Sequence, residues 1–108
     1  GRKKDLIYRS GNKVSPLEVE AVFMCHPSVA AAMAVGIEEP ARGEAIHLAI
    51  VLRPGLQTAA ATLKAWAADY LERFKLPDTI HLVDELPSGS TGKANRQALR
   101  HLIESRGN

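Results

Sequence analysis

The sequence predicts an α+β fold, in which a small mixed or antiparallel three-stranded sheet is packed with helices and preceded by a short N-terminal β-hairpin. Helical patterns follow Ser15, run from Leu63 to Phe74 and close the chain after Asn95, and they are interleaved with apolar runs of strand length at 29–37, 44–52 and 79–83. Turn-rich segments separate these runs. A chain of 108 residues builds one core of this kind and has no room for a second, so residues 1–108 read as a single domain.

Leu6-Ile7-Tyr8 reads as a short strand, Ser10-Gly11-Asn12 as turn chemistry and Lys13-Val14 as the returning arm of the hairpin. A helix then starts at Ser15, which can cap it, with Pro16 at the first helical position and Glu18 placed to complete a capping box. Leu17, Ala21 and Met24, with Val22 and Cys25 beside them, supply its expected inner side, and His26-Pro27 ends it. Residues 29–37 are apolar without alternation, which suits a buried strand between turns, although their Ala-rich character also fits a helix. Glu38 to Gly43 is expected to be a loop.

Residues 44–52 alternate, with Ile46, Leu48, Ile50 and Leu52 on one side and His47, Ala49 and Val51 on the other. Arg53-Pro54-Gly55 turns the chain. Leu63, Trp66, Ala67, Tyr70, Leu71 and Phe74 follow helical spacing, predicting a second helix through about Phe74 with Trp66 and Tyr70 in the core. Leu76-Pro77 stops it. A third core strand follows at 79–83, and a final helix over 95–104 turns Leu99, Leu102 and Ile103 inward.

Fourteen basic and twelve acidic residues are mostly interspersed, so the net charge of +2 forms no broad stripe of the kind that binds nucleic acid. The exception is Arg2, Lys3, Lys4, Arg9 and Lys13, which gather in one short segment and suggest a local site for a phosphate-like anion. A solvated terminal cluster is the competing reading. The apolar runs are too short to cross a bilayer. Cys25 is the lone cysteine, which suits a reducing compartment such as the cytoplasm. His26, His47, His81 and His101 show no ligand spacing with Cys25, so no metal site is expected.

Pro87-Ser88-Gly89-Ser90-Thr91-Gly92-Lys93 has no large apolar side chain and leads into the last helix. Such a loop cannot fill a core, and it presents Lys93 as a mobile point charge suited to a carboxylate or phosphate. A nucleotide P-loop is ruled out, because that pattern needs glycine where Pro87 stands and serine or threonine where Ala94 stands. A flexible loop carrying a solvated lysine remains the plain alternative.

Several segments taken together resemble the C-terminal domain of the adenylate-forming enzymes, a superfamily of acyl-CoA synthetases, peptide-synthetase adenylation domains and luciferases. They are Gly1 to Ile7, Ser10-Gly11, Pro16-Leu17-Glu18-Val19-Glu20, His26-Pro27-Ser28-Val29, Gly43-Glu44, Phe74-Lys75-Leu76-Pro77, Leu86-Pro87 and Thr91-Gly92-Lys93. The likeness spans essentially the whole chain and is nearest to the acyl-CoA synthetases. It implies a small domain that swings over a large N-terminal domain, which holds most of the site for ATP with Mg and for the acid.

The resemblance assigns Lys93 to adenylation, bridging the acid's carboxylate and the α-phosphate, which a lysine does without proton transfer. It implies that Arg2 lies near the ATP ribose, Lys13 faces the nucleotide, and Lys4 is the hinge, near residues 3–5. Ser10 and Gly11 would meet the pantetheine arm of coenzyme A during thioester formation. Lys93 would also be open to a lysine acetyltransferase. Tyr8 departs from members with lysine at its position, notably luciferases, and Ala94 replaces a larger aliphatic residue. The expected activity is that of a cytoplasmic acid–thiol ligase, with the isolated domain inactive. The alternatives are an adenylation domain that loads a carrier-protein phosphopantetheine and a free-standing regulatory module of the same fold.

Overall fold

A computed structural model describes residues 5–90, 92 and 94–106. The expected hairpin is strand β1 (Ile7–Arg9) paired antiparallel with β2 (Asn12–Val14), and helix α1 (Pro16–Met24) follows. Strands β3 (Val29–Glu39) and β4 (Gly43–Leu52) come next, then α2 (Ala60–Ala67), a 3₁₀ turn (Arg73–Lys75), β5 (Thr79–Leu82) and α3 (Arg96–Arg106). The expected three-stranded sheet is present as β3, β4 and β5, antiparallel across β3–β4 and parallel across β4–β5. The hairpin joins the same sheet through the pair Arg9–Gly43, so β1 and β5 flank β4 at different points along its length, opposite β3.

Strand β4 is therefore the centre of the fold, and its alternation serves both faces. Ile46, Leu48 and Ile50 are fully buried with Ile7, Val14, Val19, Phe23 and Leu63 under α1 and α2. On the other face Ala49 packs with Val35, Leu99 and Ile103 beneath α3. Residues 29–39 form a strand rather than a helix, and a register shift between Val29 and Ala31 lets Val29 point to the same core as Ala34. The loop expected from Glu38 shrinks to the turn Pro40–Arg42, because Glu38 and Glu39 continue the ladder opposite Glu44 and Gly43.

Helix α1 starts where the sequence predicts, but with only the Ser15 half of the expected capping box. The Ser15 hydroxyl accepts the Glu18 N–H at 3.3 Å, while the Glu18 carboxylate takes the Lys75 ammonium. Its inner face differs from expectation: Pro16, Val19 and Phe23 are buried, whereas Leu17 is 67% exposed and Ala21, Met24 and Cys25 face outward. Apolar residues nearly surround this helix, so their periodicity does not choose a side; Phe23, the largest of them, does.

Helix α2 also ends earlier than predicted, at Ala67. The N–H groups of Asp69 and Tyr70 bond carbonyls only three residues back, those of Trp66 and Ala67, which tightens the chain out of α geometry, and Leu71, Phe74 and Leu76 return to the core separately. Tyr70 is a correction, since it is 62% exposed, its ring tilted by 46° against that of the half-buried Trp66. Strand β5 is a half-covered edge, with none of its residues fully buried. No described helix is long and apolar enough to cross a membrane.

One polar contact lies within the sheet itself. His47 on β4 and His81 on β5 place Nδ1 and Nε2 2.9 Å apart with their rings stacked. One ring must donate and the other accept, so a doubly protonated pair cannot keep this bond. Burial lowers the affinity of both for protons, helped at His47 by the charge of His81 and at His81 by that of Arg106, while Asp78 and Glu39 oppose the shift at His47. With both groups held below the ordinary histidine value near 6.5, the unfolded chain binds more protons as the pH falls through that value. Stability measured by urea unfolding is thus expected to decline from pH 7.5 to pH 5.5, and to decline less steeply in His81→Gln.

Candidate functional site

Two short arms leave the sheet, a hairpin and a loop, and the described candidate residues Ser10, Gly11 and Lys13 are on the hairpin. The first is the hairpin. Ile7 and Val14 turn inward and are buried, which leaves Tyr8 and Lys13, cross-strand partners, on the outer face. Between Arg9 and Asn12 the chain turns in two residues, Ser10 at φ +52° and Gly11 at φ +82°. Positive φ at both positions is what a tight hairpin turn of this hand demands. Glycine adopts it freely, whereas serine is strained there and must be held by its surroundings. The Ser10 N–H donates to the Arg42 carbonyl at 2.8 Å, and both turn residues are exposed, with open space where a Gly11 side chain would be.

The hairpin is fixed to the sheet by charge as well as by backbone. Arg9 donates Nε and an η nitrogen to the Asp78 carboxylate at 3.0 and 2.8 Å, and Arg42 reaches the same carboxylate at 2.7 Å while pairing with Glu39. Arg9 is therefore committed inside the fold and is not available to the anion site expected of the N-terminal cluster. Nearby, the Glu44 carboxylate accepts the Tyr8 N–H at 2.8 Å and occupies the space where a side chain on Gly36 would stand. Gly43 has φ +85°, and a Cβ there would approach the Tyr8 carbonyl to 3.1 Å, so β1 can lie this close to β4 only against glycine.

The second arm is the loop that begins at Pro87. Its root is closed by an antiparallel bridge between Ser88 and Ala94 and by the Asn95 N–H bonding the Pro87 carbonyl at 3.1 Å. The Asn95 side chain caps α3 by accepting the Ala98 N–H at 2.6 Å, and it lies where Gly89 would carry a Cβ. One residue further on, the Arg96 guanidinium bonds both oxygens of Glu20 at 2.8 Å and the Ala34 carbonyl at 3.2 Å, and stands 3.8 Å from Asp5. Glu20 also accepts the Ala34 N–H at 2.8 Å. This guanidinium binds the start of α3 to α1, to β3 and to the segment before the hairpin.

Among the residues the sequence singled out, Ser10, Gly11 and Lys13 are brought together on the hairpin. Arg2, Lys4 and Lys93 lie outside the described residues, as do Lys3 and Thr91. The supports of both arms were not read from the sequence as such. Glu20 falls in a motif that carries the resemblance, but nothing local paired it with Arg96, and Asp78 follows Leu76-Pro77, which read only as a helix stop. A carboxylate entering a core strand was the one available signal at Asp78.

A family model described as the AMP-binding enzyme C-terminal domain matches residues 18–93. The oxalate–CoA ligase of Arabidopsis thaliana is 37% identical over 105 residues, covering 96% of this chain and 20% of that protein. The 2-succinylbenzoate–CoA ligase of Geobacillus kaustophilus is 37% identical over 102 residues, covering 94% of this chain and 21% of that protein. Among solved structures, an acyl-CoA synthetase of Brucella canis superposes with a TM-score of 0.88 at 31% identity over 100% of this chain and 20% of its own. The chain spans about a fifth of the length of these relatives.

The Arg96 junction makes a quantitative prediction. Glu20→Ala strips the half-buried Arg96 guanidinium of its two carboxylate bonds and the Ala34 N–H of its acceptor, and should cost about 2–4 kcal/mol in urea unfolding. Arg96→Ala should cost a similar amount, and the double variant less than the sum, since both remove one interaction.

Proposed function

Because the chain belongs to the AMP-binding enzyme C-terminal domain family, we propose that it serves as the mobile C-terminal domain of an ATP-dependent acid–CoA ligase, supplying one arm to each of two half-reactions. The supporting observation is the pair of arms, each closed and hydrogen-bonded at its root. The exposed hairpin turn can enter a site that another domain builds. Relatives whose names give them as CoA ligases favour coenzyme A over a carrier protein as the thiol acceptor.

In the first half-reaction a carboxylate oxygen of the acid attacks the α-phosphorus of ATP, and pyrophosphate leaves as the acyl-adenylate forms. The Lys93 ammonium neutralises the converging anions, with Arg2 near the ribose and Lys13 toward the nucleotide. The domain then turns about Lys4. In the second half-reaction the sulfur of coenzyme A attacks the acyl carbon, its proton is lost to solvent or base, and AMP departs. Ser10 and Gly11 line the path of the pantetheine arm, where the missing side chain at Gly11 lets backbone approach. Acetylation of Lys93 would switch off the first step by removing its charge.

The test separates the two steps in the protein that carries this domain. Lys93→Ala should slow acyl-adenylate formation, followed by pyrophosphate release, about 100-fold or more, while thioester formation from supplied acyl-AMP is retained. Equal loss of both steps contradicts the division of labour.

A further inference from the structure

We propose that Asp78 is a positioning residue for the second half-reaction, setting the place and direction of the Ser10–Gly11 turn through Arg9 and Arg42. The role rests on the two-step ligase reading for its consequence, but its geometry stands independently.

The Asp78 side chain is 14% exposed and both of its oxygens are fully used. Oδ1 accepts from Arg9 at 2.8 Å and Arg42 at 2.7 Å; Oδ2 accepts from Arg9 Nε at 3.0 Å and from the Ile46 N–H at 2.7 Å. The Asp78 N–H donates in turn to the Ile46 carbonyl at 2.8 Å, so backbone and side chain together lock this residue to the middle of β4. It occupies the step between β1 and β5 along the same flank of β4. Among the described residues no strand pairs with Ile46 on this flank to receive its N–H, and the carboxylate takes that place.

Strands of three residues do not hold a hairpin by themselves, and β1 meets β4 in a single residue pair. Ile7 and Val14 anchor its base in the core. The end that carries Ser10 and Gly11 has the Arg42 carbonyl, the pair with Gly43 and the Asp78 clamp. Arg9 immediately precedes the turn, and Arg42 supplies the carbonyl that holds Ser10 at its positive φ. Both arginines converge on Asp78. Without its charge they repel each other, and the turn loses the contacts that aim it.

Asp78→Asn keeps the shape and removes the charge, while Arg9→Gln cuts only the hairpin's side of the clamp. In the protein that carries this domain, each should slow thioester formation from supplied acyl-AMP about tenfold to a hundredfold and slow pyrophosphate release no more than Lys13→Ala does, since Lys13 shares the hairpin and faces the nucleotide in the proposed first step. In the 108-residue chain, each should speed amide hydrogen exchange at Ser10 and Tyr8 while leaving Leu48 and Ile50 protected. If Asp78→Asn does not fold, Arg9→Gln is judged by the same two readouts. Parallel loss of both half-reactions, or hairpin amides exchanging at the parent rate, overturns the proposal. A parent protein that forms no thioester refutes the ligase reading, and hydrogen exchange alone then decides whether Asp78 holds the turn.

Discussion

Strand β4 is covered on both faces and flanked along both edges, and the remaining structure is arranged around that requirement. Ile46, Leu48 and Ile50 need one helical layer, and Ala49 needs another. Side chains of α1 and α2 pack with those of this strand on one side and of α3 on the other, while β3 lies along one edge and β1 and β5 along the opposite edge. The gap between β1 and β5 exposes a backbone group, and Asp78 fills it. Burial of that carboxyl alone would raise its proton affinity, but the Arg9 hydrogen bond, the Ile46 N–H and the charges of Arg9 and Arg42 outweigh burial and bring it to about 2. It is ionised across the physiological range, so the clamp does not depend on pH there.

The two arms are built on a common plan. Each is a short excursion, and each is secured at its root by a multiply bonded guanidinium: Arg9 on Asp78 for the hairpin, Arg96 on Glu20 and Ala34 behind the Pro87 loop. Arginine suits this task because its planar fork makes several bonds at once with little further loss of freedom. An arm with a fixed root would carry its tip with the domain in the rotation that the proposed two-step reaction requires.

Local chemistry made part of this legible. Ser15-Pro16 marks a helix start because capping involves only neighbours, and the alternation from Ile46 to Leu52 reports two covered faces whatever covers them. The hairpin turn was equally plain. The inner face of α1 was not, since Leu17, Val19, Ala21, Val22, Phe23 and Met24 leave little polar contrast around the helix. The spacing of Leu63, Ala67 and Leu71 is helical whether or not the hydrogen bonds continue, so the end of α2 was invisible. The supports of the arms were the least accessible, because they join residues far apart in sequence: Arg9 with Asp78, Glu20 with Arg96, His47 with His81. A pairing across such separations leaves no periodicity to read.

In the proposed function, one rigid body offers two arms in turn to the same site. The most direct measurement is a pair of structures of the protein that carries this domain, one with a non-reactive acyl-adenylate analogue and one with coenzyme A added. The account predicts that residues 5–106 superpose as one unit, with the Lys93 ammonium on the nucleotide in the first and the Ser10–Gly11 turn beside the pantetheine arm in the second. A hairpin released from Asp78 and moving separately from the sheet, or Lys93 directed away from the nucleotide in both, contradicts it.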